Sequence, residues 1–203
     1  MVNTRRLWGT ATAVAHVLRR RFKVVMGAAV LLIAGTICTA LWLHFSRSPT
    51  DRYRRIVNEA AKRHVVPPAL VMAIIRQESN FDPHARGKAG EVGLMQITEP
   101  AAKDWVRHTG HTIRSKAVLF DPRLNIEIGT WYLARGLQKW RHYRDRKVLA
   151  LAQYNAGPGN ARKWAPEDPR ENALDFVRFP GTRKYINSVL SYERLYRQRH
   201  SKR

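Results

Sequence analysis

An uncharged apolar run near the amino terminus divides this chain into two parts. Residues 24–45 read VVMGAAVLLIAGTICTALWLHF and contain no charged side chain. As a helix they would rise about 33 Å, enough to cross the roughly 30 Å hydrocarbon core of a membrane. Trp42, near the far end, suits the aromatic belt at a membrane interface. The run therefore predicts one transmembrane signal anchor over residues 24–45.

Two other interpretations of this run fit less well. A buried core helix of this length would normally keep a polar face. A cleaved signal peptide has an apolar region of about 7–15 residues that ends in a small-x-small site; the best candidate here, Ser46 and Ser48, would place Pro49 directly after the cut. Cys38 is the only cysteine, so no intramolecular disulfide can form, and we interpret it as a small apolar packing residue.

Basic residues around the run indicate its orientation. Counted over a wide range, the two sides carry equal numbers of them. Directly beside the run, the amino side carries Arg19, Arg20, Arg21 and Lys23. The carboxyl side carries Arg47 alone at a similar distance. Because positive charge beside a span favours the cytoplasm, we expect residues 1–23 to be a cytoplasmic tail and residues 46–203 an extracytoplasmic domain.

The charge of the chain is far from balanced. It has 37 Lys and Arg residues against 15 Asp and Glu residues, a formal net charge of +22. The part after residue 45 holds 31 of the basic and all 15 acidic residues, and so carries +16. This excess indicates anionic partners such as lipid headgroups, wall polymers or nucleic acid. Nucleic acid is the least favoured, because most tryptophans fall on inner helix faces and not among exposed basic residues.

The part after the run reads as helices joined by loops rich in Gly and Pro, without strand alternation. It is therefore predicted to be a mainly α domain. Each helix is expected to start at a capping residue or a first-turn proline. The expected starts are Thr50 or Asp51, Pro68, Thr98, Asp121 with Pro122, and Asp145, with a last helix from about Thr182. The helix from Asp145 is expected to run into Tyr154 and to stop near Gly157-Pro158-Gly159.

Glu78 is the first candidate for chemistry, in the segment RQESNFDP at residues 76–83. It follows Ile74 and Ile75 by four and three positions, so its carboxyl should lie close to their inward face. Apolar surroundings raise the pKa of a carboxyl, as a general acid requires near neutral pH. Taken alone, a solvated glutamate at a helix end explains this segment as well.

Two further segments place polar residues at loop edges. In GEVGLMQI, residues 90–97, paired glycines permit tight turning, and Met95 and Gln96 offer an adaptable apolar contact and an amide. In AQYNAGPG, residues 152–159, Tyr154 and Asn155 stand at the end of an apolar helix. Singly, each segment is explained by an ordinary loop or helix stop.

Together, the three segments resemble the soluble lytic transglycosylase family, whose catalytic domain has a lysozyme-like helical fold of the goose type. The family pattern is a Glu-Ser pair, then Gly-Leu-Met-Gln, then Ala-Tyr-Asn-Ala-Gly. This chain has Glu-Ser at 78–79, Gly-Leu-Met-Gln at 93–96 and Gln-Tyr-Asn-Ala-Gly at 153–157. The resemblance covers roughly residues 50–198. Gln153 replaces the usual Ala, and Gly181 replaces a Glu in a segment similar to Glu-Thr-Arg-x-Tyr.

The resemblance implies a reaction and a set of site residues. Glu78 would act as single acid and base, cutting the bond between N-acetylmuramic acid and N-acetylglucosamine in peptidoglycan and leaving a 1,6-anhydro end. Tyr154 would orient Glu78, while Met95, Gln96 and Asn155 would hold the acetamido and neighbouring groups. The full set of expected substrate-binding residues is Ser79, Met95, Gln96, Tyr154, Asn155 and Tyr185. No cofactor and no metal is expected.

Two alternatives stay open at this point. A muramidase of lysozyme type would need the same acid but would use water as the acceptor. A non-catalytic wall-binding or secretion-assembly protein could retain the fold without the reaction. The expected partners are peptidoglycan strands, the membrane through the anchor, and anionic wall polymers or lipid headgroups. The expected location is the bacterial inner membrane, with one span and the domain outside the cytoplasm.

Overall fold

The structure is a computed structural model that describes residues 26, 29–40 and 49–201. The chain divides into two units, Met1–Ser48 and Pro49–Arg203. In the first unit, residues 29–40 form a helix, α1. Cys38 on this helix is exposed, whereas the sequence predicts a packed side chain. No helix among the described residues is both long enough and apolar enough to span a membrane. The predicted tail over 1–23, and much of the predicted span over 24–45, lie outside the described residues.

The second unit is helical, as the sequence predicts. Its elements are α2 (Pro49–His64), α3 (Pro68–Ser79), α4 (Glu99–Thr109), a 3-10 helix (Lys116–Phe120), α5 (Pro122–Lys139), α6 (Arg146–Trp164), α7 (Ala173–Phe176) and α8 (Pro180–Ser201). Pairing between extended segments is limited, within residues 49–201, to two isolated bridges that join Val92 to Arg86 and to Ile97. The mainly α prediction is confirmed.

Local signals explain where most of these helices begin. The Thr98 hydroxyl accepts a hydrogen bond from the backbone N–H of Ala101 at 3.2 Å. Asp121 caps α5 in the same way, accepting from Leu124 N–H at 2.9 Å. Both caps satisfy backbone donors that a helix leaves unpaired in its first turn. By contrast, α2 starts at Pro49, so Thr50 and Asp51 lie inside its first turn and do not precede it.

The helix from Arg146 stops at Gly157, as the sequence predicts, and after a kink a second helical stretch continues to Trp164. Gly157 has φ 84° and ψ 162°, which interrupts the helical backbone. Pro158 then fits the first turn of the next stretch, because its fixed φ is helical and its missing N–H has no partner there. The Gly-Pro pair therefore makes a kink, and the polar side chains just before it are turned toward a cleft.

The core centres on α3. All residues from Ala69 to Ile75 are buried, as expected for a helix that is apolar on every side. It packs mainly against α8 and also against α2, while α5 packs against α6 and α2. The carboxyl end of α3 thus emerges from the middle of the domain, and Glu78 lies in its last turn.

Candidate active site

Glu78 is placed by the way α3 ends. Asn80 adopts a left-handed conformation with φ 50°, and its N–H donates to Arg76 O at 3.1 Å. This closes the last turn of the helix and keeps Glu78 inside it. The side chain therefore stays on the face of α3 that continues from Ile74 and Ile75, both fully buried.

The carboxyl of Glu78 accepts a hydrogen bond from a tyrosine on α8. Tyr185 Oη donates to Glu78 Oε1 at 2.7 Å, across 107 positions of sequence. Tyr185 is only 6% exposed, so this hydrogen bond is shielded from competing water. The close packing of α3 on α8 brings the two side chains together.

The environment of Glu78 raises its pKa to about 7, from an ordinary value of 4.5. Burial is the main cause, because it disfavours the charged carboxylate. The hydrogen bond from Tyr185 acts in the opposite direction, and the nearby charge of Glu91 adds a smaller upward contribution. A group with a pKa near neutrality can both give and take a proton at the pH of a cell.

Two tyrosines near Glu78 remain protonated donors. Burial and the charge of Glu78 raise the pKa values of Tyr154 and Tyr185 well above the usual 10. The sequence predicts that Tyr154 orients Glu78, yet the Tyr154 hydroxyl donates to Met95 O at 2.9 Å. The hydrogen bond to Glu78 comes instead from Tyr185, which the sequence marked only as a substrate-binding residue.

Asn125 on α5 holds the segment that follows Glu78, and sequence reasoning did not identify it. Its side chain is fully buried and accepts a hydrogen bond from Met95 N–H at 2.7 Å. Its Nδ2 donates to Val92 O at 2.9 Å and to Leu119 O at 2.7 Å. One amide thus satisfies three backbone groups. The available signal was an Asn set between two apolar residues of α5, Leu124 and Ile126.

Ser79 and Met95 are turned away from the solvent side of the site. The Ser79 hydroxyl lies 3.1 Å from Ile75 O and 2.9 Å from Leu94 O, and so ties α3 to the following loop. The Met95 side chain has no exposed area. A Cβ added to Gly129 would lie 2.5 Å from its sulfur, so the glycine makes room for it. In this conformation Met95 contributes its carbonyl, and not its side chain, to the site.

Gln96, Tyr154 and Asn155 line a cleft of about 480 Å³. Gln96 has φ 47°, and its Nε2 donates to Gly93 O at 2.9 Å. Asn155 Oδ1 accepts from Thr182 Oγ1 on α8 at 2.8 Å, which fixes the direction of the amide. The structure therefore brings these three expected residues together in one cleft, with two amide side chains oriented by their own hydrogen bonds. Glu78 does not line this cleft itself, but it lies close enough to Tyr154 for its charge to contribute to the raised pKa of that tyrosine, whose main cause is burial.

The two departures from the family pattern have different surroundings. Gln153 is buried, and its Oε1 accepts a hydrogen bond from Trp140 Nε1 at 3.1 Å, so it pairs a polar group that would otherwise be buried alone. Gly181 is exposed, and nothing lies within 4 Å of the position that a Cβ would occupy.

Within the described residues, no group of three or more His, Cys, Asp or Glu side chains is arranged to hold a metal.

Comparison with known proteins agrees with this geometry. A sequence model of the transglycosylase SLT domain matches residues 55–176. The chain belongs to this family. The resemblance drawn from the three segments is thereby confirmed for the SLT domain.

Relatives of this SLT-domain chain include both soluble and membrane-bound proteins. It is 35% identical over 178 residues to the soluble lytic murein transglycosylase of Escherichia coli K12, covering 82% of the chain and 26% of that protein. It is 32% identical over 169 residues to membrane-bound lytic murein transglycosylase C of Salmonella arizonae, covering 73% of the chain and 47% of that protein. The chain thus spans between a quarter and a half of the length of these relatives.

A solved structure shares the fold. The X-ray structure of an inactive glutamate-to-glutamine mutant of lytic transglycosylase Slt from Pseudomonas aeruginosa superposes with a TM-score of 0.66 and 32% identity. The superposition covers 77% of this chain and 26% of the other. The helical arrangement around Glu78 is therefore that of an SLT domain.

Proposed function

We propose that this chain is a membrane-anchored peptidoglycan lytic transglycosylase with Glu78 as its catalytic acid and base. The observation that carries the proposal is the Glu78 carboxyl, with a pKa of about 7, close to Tyr154 in a cleft that is also lined by two oriented amides. The relatives named as lytic murein transglycosylases support the substrate class. An inactive glutamate-to-glutamine mutant of Slt supports the importance of a glutamate in that protein.

In the first step, protonated Glu78 gives its proton to the glycosidic oxygen between N-acetylmuramic acid and N-acetylglucosamine. The C1–O bond breaks, and the acetamido group of the muramic acid stabilises the positive charge that develops on the sugar. Burial keeps a large fraction of Glu78 protonated near neutral pH, and Tyr185 stabilises the carboxylate that remains. The same surroundings thus serve both protonation states.

In the second step, the Glu78 carboxylate removes the proton from the 6-hydroxyl of the same sugar. The 6-oxygen attacks C1, a 1,6-anhydro ring closes, and Glu78 is protonated again. Neither water nor a second carboxylate is consumed. Glu91, the acid whose charge acts on Glu78, has its Oε2 engaged by Ala89 N–H at 3.0 Å, which suits an electrostatic role better than that of a base.

The other expected site residues receive roles that fit their contacts. Gln96 and Asn155 line the cleft and would bind the acetamido and hydroxyl groups of the sugars. Ser79, Met95 and Tyr154 would act by positioning, because Ser79 joins Leu94 O, and Tyr154 donates to Met95 O. These links tie the loop that carries Gln96 to α3, the helix of Glu78, and to α6.

Mass spectrometry of sugars released from purified peptidoglycan tests this function. The full-length chain in detergent micelles should release fragments with 1,6-anhydro ends, and Glu78→Gln should lower the rate by at least about 1,000-fold. Glu171→Gln, an exposed acid outside the cleft, is the matched control and should cleave normally. Reducing ends would identify a water-using muramidase. A folded protein that cleaves nothing would favour the wall-binding or assembly role.

We also propose that residues 24–45 anchor the domain on the outer face of the inner membrane. The uncharged run and its basic amino flank support this, as does a relative named membrane-bound. A carbonate wash should leave the chain in the membrane fraction, and protease added to spheroplasts should remove residues 46–203. Release by carbonate would contradict an integral span. The charge of +16 after residue 45 would then hold the domain near anionic headgroups or wall polymers.

A further inference from the structure

Val65 forms the tip of the turn that joins α2 to α3, and its apolar side chain is 90% exposed. Its backbone has φ 55°, a left-handed conformation that β-branched residues rarely adopt and that glycine adopts readily. The next residue closes the helix end, since Val66 N–H donates to Ala61 O at 2.9 Å. Glycine is the usual residue in such a turn, and a valine in water adds no packing. Contacts within residues 49–201 therefore do not explain Val65.

A groove beside Val65 combines an apolar wall with basic residues. This Val65 groove has a volume of about 520 Å³ and ten lining residues. Val65, Trp131 and Leu137 belong to its apolar wall. Its basic lining residues are His64, Arg135, Arg146 and Lys147. Among the described residues that line it, none is acidic, so the groove suits an anionic partner with an apolar part.

The acids near the Val65 groove do not neutralise its basic residues. Each of three acids is shared between one basic residue of the groove and one outside it: Glu127 with His64 and Arg63, Glu193 with Lys147 and Arg197, and Asp104 with Arg135 and Arg107. Arg146 takes part in none of the ion pairs within residues 49–198. The groove therefore keeps a positive charge that attracts an anionic surface.

The size and position of the groove favour a membrane over a protein partner. A stable protein interface uses about 20–30 residues on each side, whereas the Val65 groove has ten. Only residues 46–48 lie between α2 and the uncharged run, so an anchor there would hold the domain at a high effective concentration beside the bilayer. The 16 residues of α2 span about 24 Å, so Val65 would make a second contact well away from the anchor.

We propose that the Val65 groove docks on the anionic surface of the membrane, with Val65 inserted among the headgroups and Arg146 on their phosphates. The proposal rests on the anchoring proposed above and names the face of the domain that meets the membrane. Trp131 lines this groove, whereas Tyr132 lines the catalytic cleft. Because successive residues of a helix point about 100° apart, a docked domain keeps its cleft open to glycan strands.

A fluorescent reporter in the groove tests this inference. The full-length chain with Cys38→Ser and Gln138→Cys is labelled with an environment-sensitive dye and reconstituted into vesicles of phosphatidylcholine, with or without phosphatidylglycerol. Gln138 lines the groove and is exposed. Phosphatidylglycerol should shift the dye emission to the blue, and spin-labelled headgroups should quench it. The same dye at Lys88→Cys, exposed beyond the opposite end of α3, is the control and should not respond.

Two variants in the labelled chain separate docking from folding. Val65→Gly removes the apolar side chain but suits the left-handed turn, and should lower the ratio of docked to undocked chain about 10-fold. Arg146→Glu places an acid in the first turn of α6, where it favours the helix, and should lower that ratio roughly 5- to 30-fold. Lys163→Glu, an exposed lysine at the other end of α6, is the matched control and should change it little.

The outcomes distinguish this inference from the proposed function. An equal signal from the wild type and both variants would overturn it. A reporter that responds to neither lipid mixture would also overturn it, and would leave an acidic protein as the occupant of the groove. A response that both variants weaken supports the docking face. If such a chain cuts no peptidoglycan, only the enzyme function is refuted, and if carbonate releases it, only the anchor is.

Discussion

Glu78 lies where two different kinds of structure meet, the helical frame of α3 and α8 and the site loop of residues 80–97. In the frame, the contacts are made by buried apolar side chains, and residues 69–75 of α3 are all buried. The site loop has turns and two isolated bridges but no helix. Its backbone takes positive φ at Asn80, Phe81, Gly90, Gly93 and Gln96.

The difference shows which property each region controls. The frame sets the protonation of Glu78, since burial is the largest cause of its raised pKa. The site loop sets the shape of the cleft. Although it buries several apolar side chains, it lacks the regular backbone hydrogen bonds of a helix, so its conformation depends on a few polar contacts. Asn125 supplies three of these contacts from α5. The stability of the frame should therefore depend on many small contacts. The conformation of the site loop, by contrast, should be lost when a single side chain is removed.

The strongest test of this comparison is Asn125→Ala. It leaves Met95 N–H and the carbonyls of Val92 and Leu119 without their partner, at about 1–3 kcal/mol for each buried group. We expect a loss of about 4 kcal/mol in the free energy of unfolding by urea, and a roughly 100-fold loss of glycan cleavage. Asn160→Ala is the control, since it removes a single hydrogen bond to Ala156 O and should cost about 1 kcal/mol. Equal effects of the two variants would refute the role of Asn125.

The second test concerns the frame and the pH dependence of stability. Between pH 4.5 and about 7 the folded state keeps a proton on Glu78 that the unfolded state has released, so stability falls as pH rises. The raised pKa corresponds to about 3 kcal/mol lost above pH 7. The free energy of unfolding of Glu78→Gln, relative to that of the wild type, should therefore rise by about 3 kcal/mol between pH 4 and pH 8. Urea unfolding of both proteins at pH 4 and at pH 8 measures this change. If the difference in stability between variant and wild type were the same at both pH values, Glu78 would not be held in apolar surroundings.

The smallest effect is expected for Tyr185→Phe. Tyr185 is the residue of the helical frame that donates a hydrogen bond to the Glu78 carboxyl. Tyr185 stabilises the Glu78 carboxylate and lowers its pKa, so removing the hydroxyl should raise that pKa. The pH at which cleavage declines on the alkaline side should then move upward by about one unit, since a hydrogen bond to a charged carboxylate contributes about 1.5–3 kcal/mol and the neutral acid keeps part of it. Tyr143→Phe, at a half-buried tyrosine outside the cleft, should leave the profile in place. A downward shift would contradict the assigned direction.

Sequence and structure agree best where a contact depends on neighbours along the chain. The caps at Thr98 and Asp121, and the apolar surroundings of Glu78, follow from positions three or four residues apart. Met95 shows the limit of such reasoning. Its place beside Gln96 suggested a substrate contact, but Gly129 on α5 leaves a space that the Met95 side chain fills. A neighbour 34 positions away decided which way it points.

By itself, the sequence determined a helical domain, its family and the identity of the candidate acid, because periodic burial, capping residues and short motifs are local properties. It also set the uncharged run over residues 24–45 that predicts an anchor. Only the tertiary structure decided that Tyr185, and not Tyr154, donates to Glu78, and that Asn125 shapes the cleft. Those contacts join residues 107 and 30 positions apart. Such contacts depend on how the helices pack against one another, and a local pattern of residues does not show which distant residues will meet.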